Sequence, residues 1–449
     1  MIRPLLLVGI LFAGHITAGA QQEPLPPMRT LNLQQAVDLA LQHNHAVRIA
    51  SLHVEESARA KDVARSAYLP VLRNDSIFAH LTDTQLIAIP AGSLGSAGGS
   101  ALPTHPVVIQ QGERTFETSG TGLVQPLTQL FKIKSANDVA SGELDAARAK
   151  AQSTKDQVAL KVRQLYYRVL IVQSQEQAIE SKIRAVEDLK AERVQQVRYG
   201  STLEADLIES KAQSLQAKQD LLTAELQLSD LRMQFNDLVG LPLNSEVVLD
   251  PDVLEPTAAP LREECVNLAF HSNPDISEAK ASLEKALAGV REAKREYIPD
   301  LEAFARYSYQ NDVPFLARNF GTFGVHFSYD IFDGGKKRAV LRERSAQAAQ
   351  ASENLARVRD EVEVRVTTAY NKLDRTAQMV AVSQELMAAR KEATRVSEQG
   401  LERGTAMPSQ ADAAAAQESE ARTLLLKSQL EYAQAKDELN EAIGGSATQ

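Results

Sequence analysis

Between Val158 and Leu238 the apolar positions step by threes and fours. The outgoing run is Val158, Val162, Leu165, Val169, Val172, Glu176, Ile179, Ile183 and Val186, with Glu176 its polar member. The returning run is Leu203, Leu207, Ser210, Ser214, Ala217, Leu221, Ala224, Leu228, Leu231, Phe235 and Leu238. A 3.5-residue repeat of this kind predicts helices that pack as a left-handed coiled coil. The outgoing helix, about 133–199, would be roughly 100 Å long at 1.5 Å per residue, too long to fold back on a compact core. Gly200 marks the reversal, so the two runs form a helical hairpin over about 133–239. Elsewhere the period changes to two. Leu301, Ala303, Ala305, Tyr307 and Tyr309 share one face of a predicted strand (301–310), and Phe323, Val325, Phe327, Tyr329 and Ile331 share one face of another (321–332). Strands of about ten residues with one apolar face suit a membrane-spanning sheet. Two earlier strands, about 72–88 and 114–127, alternate less cleanly, which leaves an ordinary soluble hairpin open for that half.

The same design is written twice. SAYLPVL (66–72) and REYIPDL (295–301) both end a polar, helix-like run at a proline, because the residue before a proline is pushed out of the helical region. Ala36 pairs with Cys265, Leu39 with Leu268, Asn44 with Asn273, Tyr68 with Tyr297 and Pro70 with Pro299, at a constant offset of 229. Further on the offset is 204, pairing Tyr166 with Tyr370, Gly200 with Gly404 and Gly240 with Gly444. The difference falls between residues 73 and 125, so the first unit carries the longer loop. The expected organisation is a first repeat at 31–240, a linker at 241–259, and a second repeat at 260–444 with its helical hairpin at about 336–443. Residues 21–30 are expected to form a flexible N-terminal segment and 445–449 a tail. The loop at about 89–113, rich in Gly, Ser and Pro, is also expected to be flexible.

Ends and composition narrow the setting. MIRPLLLVGILFAGHITAGA (1–20) reads as a secretory signal peptide, with Arg3, a short apolar core and a small-residue cleavage site. No later run of 18 apolar residues would make a transmembrane helix. The lone cysteine, Cys265, reads as a small buried residue. A formal charge of -9 argues against a nucleic-acid partner. Ten of the 22 aromatic residues lie within 297–332, which places the expected bilayer contact there. His43-Asn44-His45 resembles a nuclease or metal triplet, but its counterpart is Ser272-Asn273-Pro274, a helix boundary. There is no Ser-His-Asp grouping, phosphate loop or zinc-ligand spacing. No enzyme activity, catalytic residue, cofactor or metal ligand is assigned.

Four strands cannot close a barrel, and open edges in lipid would leave backbone groups unpaired. The strands must be pooled in a symmetric ring of copies. NPDISEAKASLEKALAGVREAKREYIPDL, FSYDIFDGGKKR and RYGSTLEADLIES, in order and in duplicated form, resemble the TolC-type outer-membrane efflux family over nearly the whole mature chain. The resemblance implies a mostly α chain with a membrane β-barrel portion: a homotrimer whose pooled strands form a twelve-stranded barrel in outer-membrane lipid, continued by a coiled-coil α-helical tunnel across the periplasm. It also implies docking to a periplasmic adaptor and an inner-membrane transporter, and export of small molecules or proteins. The alternative is an exported coiled-coil scaffold or adhesin without a pore.

Two sets of site residues follow. The hairpin tips, with Gly200, Ser201 and Leu203 in the first repeat and Gly404 and Thr405 in the second, are the expected adaptor-docking surface. The family often places carboxylates just past the tip glycine to form a periplasmic gate. Here the first repeat has Asp206 and Glu209; the second has Gln410 and Ala413 at the matching places, with the acid moved to Asp412. In a ring of copies each becomes a ring of like charge that attracts cations, with Arg198 and Arg403 as candidates to offset the repulsion. The plainer alternative places these acids on the outer, solvated face of the tube.

Overall fold

The structure, a computed structural model, describes residues 29–83, 85–111, 114–251, 256, 260–311 and 317–445. The expected signal peptide lies outside the described residues. The elements run in order β1 (Arg29–Leu31), α1 (Leu33–His43), α2 (His45–Ser66), β2 (Val71–His80), β3 (Gln85–Ile89), β4 (Ser96–Ala97), β5 (Ser100–Ala101), β6 (Val107–Gln111), β7 (Thr115–Pro126), α3 (Leu130–Arg198) and α4 (Glu204–Val239). β8 (Val247–Leu249) lies in the linker, and the second repeat follows as α5 (Arg262–Ser272), α6 (Pro274–Arg295), β9 (Asp300–Asn311), β10 (Asn319–Ser328), α7 (Lys336–Glu402) and α8 (Pro408–Ile443).

The paired boundaries have the same chemistry in both repeats. The side chain of Asn44 accepts from Ala46 N at 2.9 Å and opens α2, and that of Asn273 accepts from Asp275 N at 2.9 Å and opens α6. Such caps satisfy amides that have no partner inside the helix. Asn273 also donates to Ala442 O at 2.9 Å, tying the second boundary to the end of α8. The HNH triplet is thus a capped helix junction. Each proline junction turns a helix into a strand: α2 gives way to β2 across Pro70, and α6 to β9 across Pro299.

One four-stranded antiparallel sheet, in the order β10-β9-β7-β2, joins strands from both repeats. The register sorts its two faces. Phe323 sits opposite Ala305, Val325 opposite Ala303, Phe327 opposite Leu301, and Leu72 opposite Leu123, making one face apolar. Arg306, Thr322, Gly122 and Arg73 align on the other, polar face. The Arg306 guanidinium lies across Gly120, where a Cβ has no room. The weaker alternation in β2 and β7 has a local cause. Asn74 donates to Thr121 Oγ1 at 2.8 Å, and the Ser76 and Ser119 hydroxyls are 2.9 Å apart, so on the β2–β7 half the otherwise apolar face carries polar groups that satisfy one another.

Three segments depart from expectation. The run expected as one strand at 72–88 divides: β2 pairs with β7, and β3 pairs with β6 beyond the sheet. The loop at 89–113, expected to be flexible, carries part of this second ladder and the short β4–β5 pair; Gly92, Gly95, Gly98 and Gly99, at positive φ, supply the tight turns. The strand expected to reach 332 stops at Ser328, because Asp333 accepts from Gly335 N and Lys337 N, both at 2.9 Å, and starts α7.

The helices form a layer next to the sheet in the lateral order α2-α3-α6-α7, which continues away from it as α4-α3-α8-α7. The α4 seam is buried at Ser210, Ser214, Ala217, Ala224, Leu228, Leu231, Phe235 and Leu238, as the periodicity predicts. Leu207 and Leu221 of that run are half-buried, and Leu203 is the exposed N-cap of α4, not a seam residue. Ala411, Ala421 and Ala435 are buried on α8. Midway along the helices, α1, α5 and the parallel β1–β8 pair make a belt over two hydrophobic cores, one built around Tyr166 and Phe235, the other around Val362, Val366 and Tyr432. The Tyr166 hydroxyl donates to Asp250 O at 2.6 Å and lies 3.0 Å from Leu31 O, fastening both belt strands to α3. Tyr166→Phe leaves buried carbonyls short of a donor and is expected to destabilise the fold by about 1–3 kcal/mol, read as a lower thermal midpoint in detergent. An unchanged midpoint would remove this role.

Candidate gate at the helical tips

Each long hairpin reverses by the same local rule. Gly200 and Gly404 have φ of 67° and 70°, the left-handed region where a Cβ is disfavoured. The Ser201 hydroxyl donates to Gln196 O at 2.9 Å, and the Thr405 hydroxyl to Gly400 O at 3.0 Å. Both hydroxyls therefore close the final turn of the outgoing helix. Around them stand exposed apolar side chains: Tyr199 and Leu203 at the first tip, Leu401 and Met407 at the second.

Asp206 lies in the first turn of α4 and is exposed. Its carboxylate accepts from Thr202 Oγ1 at 2.6 Å, and this bond holds its pKa below the usual aspartate range. A carboxylate there also suits the positive end of the helix dipole. The cation whose field reaches Asp206 is Arg193, rather than the Arg198 expected from proximity in sequence. Glu209 is exposed and accepts from Gln213 Nε2 at 3.2 Å. Asp412 lies on α8, which packs on α3 as α4 does. The structure does not gather the three acids into one cluster: Asp206 and Glu209 bond within α4, and Asp412 reaches across to Asp188 of α3.

That contact sets Asp412 apart. Its hydrogen bond with the Asp188 carboxyl requires a proton between the two groups, which raises the Asp412 pKa; burial and the nearby Glu192 push the same way, and Arg184 opposes them. One turn further along α3, Glu192 accepts from Ser409 N at 2.9 Å and Ser409 Oγ at 2.6 Å, clasping the start of α8. Glu187 takes the opposite side of α3. It accepts from Lys190, Lys218 and Ser214 and has its pKa lowered to about 2, chiefly by the Lys190 and Lys218 bonds. Thus α3 is joined to α4 near the tip by a carboxylate set among cations. Its join to α8 is the helix-start clasp, with the Asp188 and Asp412 carboxyls set side by side. The sequence analysis missed Glu187, Asp188 and Glu192. The i, i+4 spacing of Asp188 and Glu192 puts both on one side of α3, the only trace of the clasp in the sequence.

Comparisons with known proteins agree with this architecture. Residues 265–445 match the sequence profile of the family described as outer membrane efflux protein. No curated protein matches the chain. Among solved structures, the CmeC outer membrane channel of Campylobacter jejuni is similar with a TM-score of 0.73 at 15% identity, covering 93% of this chain and 87% of that one. The outer membrane protein VceC of Vibrio cholerae gives 0.70 at 15%, covering 92% and 96%. The MtrE outer membrane channel of Neisseria gonorrhoeae, in its open state, gives 0.69 at 19%, covering 92% and 89%. The second repeat therefore matches the outer membrane efflux protein family in sequence, and nearly the whole chain shares the fold of solved outer-membrane channels.

Proposed function

We propose that this chain is one third of an export duct: three copies close a twelve-stranded barrel in the outer membrane, and their helices continue it as a periplasmic tunnel that narrows at the tips. The observation that carries this reading is that both flanks of the protomer are unfinished. The sheet ends at β10 on one side and β2 on the other, and each strand runs antiparallel to its neighbour. A copy of β10 can therefore pair antiparallel with β2 of the next copy. Far from the sheet, α4 exposes Ile208, Leu215 and Leu222 at seven-residue spacing, and α7, on the opposite flank, exposes Val382 and Val396. Two different, complementary edges make a head-to-tail ring.

In this reading the apolar sheet face meets lipid, the polar face lines the lumen, and a periplasmic adaptor linked to an inner-membrane transporter docks on the tips. The fold shared with solved outer-membrane channels supports this reading by analogy. The alternative, an exported scaffold or adhesin, needs no pore. Reconstitution of the mature chain in planar bilayers separates the two: discrete conductance steps are expected, and a folded, inserted but silent protein would favour the scaffold.

Docking at the tips has its own test. Because Ser201 and Thr405 also close the helix ends, bulky replacements there mix two effects. Leu203→Asp with Met407→Asp alters only exposed side chains. This pair is expected to abolish export in cells, with assembly and conductance retained. Normal export would count against docking at the tips.

A further inference from the structure

From Thr84 to Gly112 the chain has no Asp, Glu, Lys or Arg, although 24% of its residues are charged. This stretch holds the β3–β6 ribbon and its β4–β5 tip, which continue β2 and β7 at the end of the sheet away from the helices. Both faces of the ribbon are mainly apolar, the exceptions being Gln85, Gln110 and Gln111 at its base. Ala88 sits opposite Val108 with Leu86 next in line, while Ile87 sits opposite Ile109 and Ile89 opposite Val107. Leu86, Val108 and the tip residue Leu94 are exposed in the protomer, at 60%, 58% and 74%. A two-stranded ribbon apolar on both faces is poorly stable alone in water. Nor does hydrocarbon suit it, because its outer edges carry unpaired backbone groups.

We propose that the occupant of this surface is the same ribbon from the other two copies, so that three ribbons converge over the outer mouth of the barrel and form a cap. The inference rests on the ring assembly set out above. Identical surfaces meeting around a threefold axis would bring like charges together, and this stretch has none to bring. The ribbon springs from β2, the edge strand at the copy–copy junction, so it continues the proposed interface. Its reach is sufficient. Twelve tilted strands about 4.8 Å apart give a barrel radius of roughly 12 Å, whereas the five-residue ladder alone spans about 17 Å. The matching connection in the second repeat, between β9 and β10, spans only 312–318, so one ribbon per copy meets at the mouth.

The test uses the full mature chain in detergent and in planar bilayers. Cys265 is buried, so Leu94→Cys supplies the accessible thiol. A short bismaleimide is expected to link Leu94→Cys copies into covalent dimers. Leu86→Asp combined with Val108→Asp is expected to raise single-channel conductance about twofold or more by forcing the ribbons apart. A thiol at residue 94 that labels fully with a soluble maleimide but gives no inter-copy product, together with unchanged conductance of the Asp variant, overturns the cap, whether lipid or water covers the ribbon. Wild-type protein separates this failure from that of the duct. If it is trimeric and conducts while the ribbons stay unlinked, only the cap falls; if it is monomeric or silent, both fall.

Discussion

Replacing Ile208, Leu215 and Leu222 together with Asp is expected to abolish the trimer and, with it, export. In the protomer these side chains are exposed at 63%, 58% and 65%, far above what a coiled-coil seam residue shows. They lie on one stripe of α4, on the face away from the buried seam of Ser210, Ser214 and Ala217. In the proposed ring they would meet α7 of the next copy. Burying three large aliphatic side chains is worth roughly 5–8 kcal/mol per junction, and the variant would add three carboxylates to each. Because the stripe is unpartnered within the protomer, the fold itself should survive, with helix content and the Tyr166 belt intact. The measurement is mass in detergent alongside circular dichroism. A folded monomer is the expected result. A trimer without export would move the stripe to an adaptor-facing groove, and a trimer with normal export would leave it without a role.

The second large effect concerns the clasp between α3 and α8. Glu192→Ala removes both acceptors of Ser409 and is expected to raise conductance of the closed channel at every pH. Asp412 acts in the opposite direction. Its pKa is raised by the bond with Asp188, so the closed arrangement binds a proton more tightly than the separated groups do. The contact is therefore strongest below the ordinary aspartate value of 3.8 and weakens as pH rises through the raised value. Conductance is expected to rise across that window. Asp412→Asn keeps a donor for Asp188, removes the repulsion, and should hold the tip closed with no pH dependence. The Asp206→Asn and Asp412→Asn double variant should still lower cation selectivity, seen as a reversal potential nearer zero in a salt gradient. Wild-type selectivity in the double variant would remove these carboxylates from the conduction path. A pH-independent wild type would remove the shared proton.

Periodicity made most of this architecture readable before the structure. The α3 and α4 seams, the duplicated junctions at Pro70 and Pro299, and the twin reversals at Gly200 and Gly404 are local patterns, and local geometry realises them directly. The ribbon was not readable. Its Gly-rich, uncharged sequence resembles a solvated loop, and its ladder depends on pairing between Gln85–Ile89 and Val107–Gln111 across the intervening turns. Leu203 shows the limit at a helix end: it keeps the seam's spacing, but the chain there is still extended, so the helical period does not apply. The clasp was hidden for another reason. Asp188 and Glu192 look like ordinary polar-face residues, and only the packing of α8 on α3, from the other repeat, makes them partners of Asp412 and Ser409.

The central claim is that the open edges β10 and β2 close on copies of themselves. Mass measurement of the cross-linked mature chain in mild detergent tests it most directly. Three chains per particle is the predicted result. A stable, folded, membrane-inserted monomer would contradict it, because such a monomer would have to leave both edges of its four-stranded sheet unpaired in lipid.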